Sequence, residues 1–158
     1  ARAFGVPWSG SPVPVDVSAY ANWAGAYTTE GPSHITISSL NEDNQGTAAF
    51  EMLFHEVLHT MDGALFEEYR AAARAQGKRM LRNPTHPFVF YTAGEVTRRL
   101  FPGHVPFAES VGLWARARDL GPMLPLLRRH WQPWLDGTIS LDEALRRIAT
   151  DLGPRRPP

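Results

Sequence analysis

The sequence predicts an α+β fold, in which a small N-terminal β-hairpin or sheet precedes a mainly helical body. Apolar residues alternate with polar ones in residues 34–39, as in a half-buried strand. From residue 48 onward they recur instead at spacings of three and four, as on an amphipathic helix. The chain has 158 residues, 43% of them hydrophobic, and shows no internal repeat. We therefore expect residues 1–158 to form a single domain around one core.

The N-terminal part is predicted to contain an arm followed by the hairpin. Residues 1–18 are rich in proline and small residues, and we expect an extended arm that is anchored by Phe4 and Trp8. Residues 20–28 and 34–39 are the two predicted strands. The intervening Glu30-Gly31-Pro32-Ser33 is a turn sequence, so the two strands are expected to pair as a hairpin.

The helical body begins after a polar loop, with Thr47 as the expected N-cap of its first helix. A loop is predicted at residues 83–87, where two prolines flank His86. Ser140 and Glu143 have the spacing of a capping box at the start of the last helix, and residues 153–158 are expected to be a frayed tail. The predicted helices cover residues 48–61, 64–76, 88 or 92 to 101, 107–119, 123–135 and 141–152.

Composition excludes several classes of function. Sixteen Lys and Arg residues balance sixteen Asp and Glu residues, so charge does not indicate binding to nucleic acid or to an anionic membrane. The chain has no cysteine, which excludes disulfides, cysteine-liganded zinc and thiol catalysis. It has no apolar run long enough for a membrane span. The given sequence begins without methionine and shows no signal-peptide pattern, so it does not indicate a compartment. A secreted or periplasmic bacterial protein is compatible with these features.

One motif carries chemistry: His55-Glu56-Val57-Leu58-His59, in a proline-free helix with uncharged neighbours. Residues four apart lie on one helix face, so both imidazoles can bind one divalent metal ion. Glu56 can reach a water molecule at that metal and act as its general base. The sequence therefore predicts a metal site with His55 and His59 as ligands and Glu56 as a catalytic residue.

A catalytic zinc ion usually takes three protein ligands and a water molecule, so a third ligand is expected. No histidine follows His59 at the metzincin spacing. The leading candidate is Glu95, 36 positions after His59 (95 − 59) and on a predicted helix whose Ala93 and Gly94 allow close packing. A surface Glu95 paired with Arg98 or Arg99 is the competing interpretation. Other candidates remain open: Glu109, Asp62, His86 and His104, of which Asp62 is expected to cap or orient nearby groups.

Peptide hydrolysis also requires a donor to the oxyanion that forms on the attacked carbonyl. Tyr91 lies one helical turn before Glu95 on the same predicted face, so its hydroxyl is the candidate donor. His86 and His104 are the alternatives, and a merely packed or solvent-facing side chain remains possible for all three.

These residues resemble the gluzincin branch of the zincin metallopeptidases. The resemblance covers about 50 residues and depends mainly on His55-Glu56-Val57-Leu58-His59, with Glu95 on a later helix. Around Glu95 the sequence departs from the thermolysin type, because Ala-Gly-Glu stands in place of the Asn-Glu-x-x-x-Asp context. It implies a minimal zincin-like fold and one zinc ion held by His55, His59 and Glu95. It also implies an upstream edge strand, here Ser33–Ser39, that aligns a peptide substrate.

The sequence thus predicts a zinc metallopeptidase that hydrolyses peptide bonds of a peptide or protein substrate, with no nucleic-acid or membrane partner. The alternative is a non-catalytic zincin-like binding module that a metal ion stabilises. A deformylase is excluded because that family uses a cysteine ligand and this chain has none. The sequence does not indicate an oligomeric state.

Overall fold

The computed structural model describes residues 1–8, 10–78, 84–118 and 120–152. It confirms the α+β fold, since a small sheet near the N-terminus is followed by a mostly helical body. The predicted frayed tail, residues 153–158, lies outside the described residues. No helix within the described ranges is both long and apolar enough to cross a membrane.

The sheet has three strands in the order β1-β3-β2: β1 is Val15–Ser18, β2 is Ala26–Thr29 and β3 is His34–Ser38. Strands β2 and β3 pair antiparallel, which confirms the predicted hairpin. Strand β1 pairs parallel to β3 on its other side. The prediction that Ser33–Ser39 forms an edge strand is therefore wrong, because β3 has a partner on both sides.

Two further expectations for the N-terminal part were wrong. Val15–Ser18 is a strand of the sheet and not part of an extended arm, and Asn22–Gly25 forms one helical turn, α1, where a strand was predicted. Phe4 is buried in the core as expected. Trp8, in contrast, is 46% exposed and does not anchor the arm.

Within the described ranges, the helical body contains four longer helices joined by short ones. Ser140 caps the last of them through its Oγ, which accepts a hydrogen bond from the backbone N–H of Glu143 at 3.2 Å, as predicted. Thr47 is the first helical residue and not the N-cap, which is Gly46. The elements are α2 Thr47–His59, α3 Asp62–Ala75, α4 His86–Leu100, α5 Phe107–Ser110, α6 Leu113–Arg116, α7 Leu124–Leu126, a π-helical turn Leu127–Trp131, α8 Gln132–Leu135 and α9 Leu141–Asp151, with 3-10 turns at Arg2–Phe4 and Gly121–Met123.

The predicted helix 107–119 is broken into α5 and α6, and the start of α4 also differs from the prediction. His86 is its first residue, although a loop was predicted there because of the flanking prolines. Pro87 is tolerated because the first turn of a helix has no intrahelical partners for its N–H groups. The helix therefore begins at His86, and this histidine acquires a fixed position.

Helices α2 and α4 pack closely and run in opposite directions. The ring of His55 lies 4.2 Å from the ring of Phe90, centroid to centroid, near the end of α2 and the start of α4. Towards the other end, a Cβ at Gly94 would lie 2.7 Å from Pro106 and 3.2 Å from the carboxylate of Glu51. The expectation that small residues on α4 allow close packing is confirmed.

The buried face of α2 carries more polar groups than the sequence indicated. Glu51, His55 and Glu56 are all buried, whereas Phe54 is 38% exposed. Burying charged or polar side chains costs free energy unless they are paired. The inward face of this helix therefore requires partners from the elements that pack on it.

Candidate metal centre

Three imidazoles converge where the end of α2 meets the start of α4. One nitrogen of His55, one of His59 and one of His86 all lie within 4.8 Å of one another. The rings of His55 and His59 are 4.9 Å apart, and those of His59 and His86 are 4.8 Å apart, centroid to centroid. His55 and His59 come from one helix face, as predicted, and His86 comes from the first turn of α4. This group can hold a metal ion.

The spacing of the two α2 ligand atoms fits a shared ion. The Nε2 atoms of His55 and His59 are 3.2 Å apart. In a tetrahedral site with zinc–nitrogen bonds of about 2.0–2.1 Å, neighbouring ligand nitrogens lie about 3.3–3.4 Å apart. The two histidines therefore have nearly the separation that a shared ion requires.

Asp62 orients the imidazole of His59. Its Oδ2 accepts a hydrogen bond from Nδ1 of His59 at 3.1 Å and another from the hydroxyl of Thr85 at 3.2 Å. A proton on Nδ1 leaves the Nε2 of a neutral imidazole with its lone pair available, and Nε2 is the atom that faces His55. The expectation that Asp62 orients a neighbouring group is thus confirmed.

Burial keeps His55 and His86 in the form that binds metals. Desolvation, together with the nearby His59 and His86, lowers the pKa of His55 well below its usual value. Desolvation is also the main cause that lowers the pKa of His86 to about 4; His59 acts in the same sense and Asp62 in the opposite one. Both imidazoles are therefore neutral near pH 7, as ligation requires.

Glu56 lines the same cleft as the three histidines, and a residue of the sheet holds it in place. The hydroxyl of Thr28 lies 2.7 Å from Oε2 of Glu56 and 2.8 Å from its backbone carbonyl oxygen. Burial raises the pKa of the Glu56 carboxyl, against the lowering effects of the Thr28 hydrogen bond and of His59. A carboxylate with a raised pKa is a stronger general base.

These groups open into one cavity of about 480 Å³, which we call the cleft. Its walls come from strand β2 and the turn after it, from α2 and α3, and from the aromatic residues of α4 and α5. Phe90 and Phe107 stand nearly parallel, with ring centroids 6.2 Å apart. The lining residues are Ala26, Tyr27, Thr28, Glu30, Met52, His55, Glu56, His59, Asp62, His86, Phe90 and Phe107.

The structure does not bring Glu95, the predicted third ligand, to the histidines. Glu95 comes nine residues after His86 on α4, which places it about 13 Å further along the axis and about half a turn around it. Its carboxylate is buried, pairs with Arg98, and is not part of the cleft wall. The structure shows the ion pair with Arg98 that the competing interpretation expected, although Glu95 is buried and not on the surface, and His86 lies with His55 and His59 instead.

Tyr91, the predicted oxyanion donor, also faces away from the cleft. It follows His86 by five residues, so it is rotated by about 140° around the helix axis. Its hydroxyl donates a hydrogen bond to Oε1 of Gln132 at 2.8 Å, and burial is the main cause that raises its pKa to about 12. Tyr91 therefore links α4 to α8.

The other candidate ligands have separate partners. Glu109 forms an ion pair with Arg128 at 3.2 Å. His104 lies 2.6 Å from Oε2 of Glu51 and 2.9 Å from the hydroxyl of Thr47. The same oxygen of Glu51 accepts a hydrogen bond from the backbone N–H of Phe107 at 2.8 Å. This buried pair holds the segment that carries Phe107 into the cleft, and neither Glu109 nor His104 joins the histidines.

The sequence indicates His86 only as one of several alternatives and gives no indication of Thr28. The sequence Thr85-His86-Pro87 has the pattern of a helix start, with proline in the first turn, and this pattern could have indicated His86 as the third member of the group. Thr28 gives no local signal, because its contact with Glu56 joins residues 28 positions apart.

The chain matches no protein-family model, no curated protein and no solved structure. The function has to be inferred from the chemistry of the cleft.

Proposed function

We propose that this chain is a zinc-dependent peptidase of the zincin type, in which His55, His59 and His86 hold the metal and Glu56 is the general base. The observation that carries the proposal is the position of Glu56, a buried carboxylate in the wall of the cleft where three imidazoles converge. A purely structural metal site does not need a base beside its ligands. The sequence resemblance to zincins supports the same assignment through His55-Glu56-Val57-Leu58-His59.

The donor set favours zinc among the common metals. Three imidazole nitrogen donors, with no cysteine in the chain, suit a borderline-soft ion, and three protein ligands leave a fourth position open. When bound, zinc lowers the pKa of a water molecule toward about 7 and polarises the carbonyl that is attacked. The three imidazoles therefore suit a zinc ion.

The reaction proposed for the chain is hydrolysis of an amide bond. Glu56 accepts a proton from the attacking water as the carbon–oxygen bond forms, and it returns the proton to nitrogen as the carbon–nitrogen bond breaks. Thr28 keeps one carboxylate oxygen of Glu56 in place, and Asp62 keeps the imidazole of His59 in orientation.

Strand β2 is the element that suits alignment of a peptide. It is an edge strand of the sheet, and Ala26, Tyr27 and Thr28 line the cleft. An extended substrate can pair with the outer main-chain groups of an edge strand, and this fixes its position beside the catalytic groups. The alignment role that the resemblance implied for Ser33–Ser39 is therefore assigned to β2.

The proposal is tested with the Glu56→Gln variant. We expect purified wild-type protein to contain about one zinc ion per chain and to cleave members of a peptide library. The variant keeps the metal because the three histidines remain, and its turnover falls by about 10²- to 10⁴-fold because the base is lost. Metal content is measured by elemental analysis, and cleavage by mass spectrometry.

Glu67→Gln is the matched control, because Glu67 is an exposed carboxylate on α3 that forms a surface ion pair with Arg70. This variant should keep both metal and turnover. Zinc retention with unchanged activity in Glu56→Gln would remove Glu56 from the mechanism.

A non-catalytic, metal-stabilised module is the second candidate, because the histidine group joins the end of α2 to the start of α4 and an ion there would cross-link them. It predicts that chelation unfolds the protein and that the wild-type chain cleaves no peptide in the library. Cleavage that Glu56→Gln abolishes would exclude it.

A further inference from the structure

One side chain connects the edge strand to the proposed base. Thr28 belongs to β2, and its backbone pairs with Ile35 of β3. Ile35 is fully buried, and partners across a sheet present their side chains on the same face. The hydroxyl of Thr28 therefore points inward to α2, where it lies 2.7 Å from Oε2 and 2.8 Å from the carbonyl oxygen of Glu56.

The chemistry of this contact restricts the carboxylate. A threonine hydroxyl has a single hydrogen, which the two acceptors on Glu56 must share. A hydrogen bond to an ionised carboxylate is stronger than one to a neutral backbone carbonyl. The carboxylate oxygen of Glu56 therefore competes well for the Thr28 hydrogen. The carboxylate is thereby held against its own helix backbone through Oε2, which leaves Oε1 to take part in proton transfer.

The same residue belongs to the strand that is proposed to align the substrate. Among the described residues, the main chain of β2 forms the edge of the sheet that lies beside the cleft, while the side chain of Thr28 reaches the base from the inner face. A peptide that pairs with this edge is therefore in register with a residue that fixes Glu56.

We propose that Thr28 is a positioning residue that holds the carboxylate of Glu56 in the orientation required for proton transfer. The inference rests on the proposed function. It differs from a simple tether between β2 and α2, because a tether would affect stability and metal binding and would not act selectively on turnover.

The test uses Thr28→Val, which removes the hydroxyl at nearly constant volume, and Thr28→Ser, which keeps it. We expect Thr28→Val to lower kcat by about 10- to 100-fold, the range expected for loss of a hydrogen bond to a charged group. KM should stay within about threefold, because strand β2 and the histidines are retained, and Thr28→Ser should recover most of kcat.

Thr60→Val is the matched control, since the Thr60 hydroxyl donates to a backbone carbonyl of the same helix, that of Val57, at 2.7 Å and does not contact the base. This variant should leave kcat and KM unchanged. If Thr28→Val keeps wild-type kcat, or if Thr28→Ser loses as much as Thr28→Val, the positioning role is overturned.

A readout that needs no substrate keeps the inference separate from the proposed function. Acetohydroxamate chelates zinc and presents an acidic proton to a neighbouring carboxylate, and its binding to zinc-loaded protein is measured by calorimetry. Thr28→Val and Glu56→Gln should both weaken binding by about tenfold or more, whereas Thr60→Val should not. Equal affinity in Thr28→Val and wild type would overturn the inference; a wild-type protein that binds no zinc would overturn the proposed function, and with it the inference.

Discussion

The identity of the third ligand is the prediction on which the metal centre most directly depends. The sequence favoured Glu95, whereas the structure places His86 with the other two histidines. We therefore expect His86→Ala to weaken zinc binding strongly and Glu95→Gln to leave it within twofold. The two variants separate the interpretations because the two residues lie about 13 Å apart along one helix.

The size of the expected loss follows from the number of ligands. Zinc binds to well-formed protein sites with about 10–16 kcal/mol of free energy. Shared among four coordination positions, one of them water, this gives about 2.5–4 kcal/mol for each position. His86→Ala should therefore raise the dissociation constant by about 100- to 1,000-fold, since each 1.4 kcal/mol corresponds to a factor of ten.

For Glu95→Gln, the structure predicts a different effect. The variant loses the ion pair between the buried Glu95 carboxylate and Arg98, whose side chain is 45% exposed and stays solvated without its partner, so the loss of stability is about 1 kcal/mol. A small decrease in the free energy of unfolding is expected, with no effect on the metal.

The assay is competition for zinc with a chromophoric chelator at pH 7.5, in parallel with circular dichroism to show that each variant is folded. His34→Ala is the histidine control, because His34 pairs with Asp16 on the sheet at 3.0 Å and is not part of the histidine group. The reasoning is refuted if Glu95→Gln loses zinc while His86→Ala retains wild-type affinity.

Two further predictions follow from the groups around the site. Asp62→Ala should weaken zinc binding by about 10- to 100-fold in the same competition assay, because the outer partner of a ligating histidine fixes its orientation; affinity within twofold of wild type would contradict this. The metal-free protein should lose stability as pH falls from 6.5 to about 4, since the unfolded chain takes up a proton that half-buried His86 does not accept until about pH 4. The loss is at most about 3.5 kcal/mol, from about 1.4 kcal/mol per pH unit over 2.5 units (6.5 − 4), and urea unfolding of metal-free wild type and His86→Gln measures it; parallel pH dependence in the two proteins would contradict it.

The parts of the site that the sequence predicted are those encoded within one helix. His55, Glu56 and His59 lie within five consecutive residues, so the helical period alone decides that the two imidazoles share a face. Asp62 is close in sequence too, and its short distance from His59 suggested the orienting role that the structure shows.

The third ligand depended on information that a single helix does not contain. Glu95 and His86 both belong to α4, and choosing between them requires the direction in which α4 crosses α2. Because the two helices run in opposite directions, the first turn of α4 meets the end of α2, and Gly94 lies instead beside Glu51 near its start. The predicted loop at residues 83–87 concealed this, since it removed His86 from the helix altogether.

The sheet was predicted incompletely for a related reason. The hairpin of β2 and β3 is a local contact, and its turn sequence predicted it. The parallel pairing of β1 with β3, in contrast, joins Val15 to Ile35, which are 20 residues apart (35 − 15). No local pattern encodes that pairing, and two prolines just before β1 favoured an extended arm. Missing β1 assigned the free edge to β3.

This error had a functional consequence, because the strand at the edge of the sheet is the one that a peptide can join. With β1 on the far side of β3, the free edge beside the cleft belongs to β2, and β2 carries Thr28. The topology of one short strand therefore decides which residue is brought to the proposed base. A prediction that places β3 at the edge cannot identify Thr28, since the contact between Thr28 and Glu56 forms only when the sheet packs on the helix.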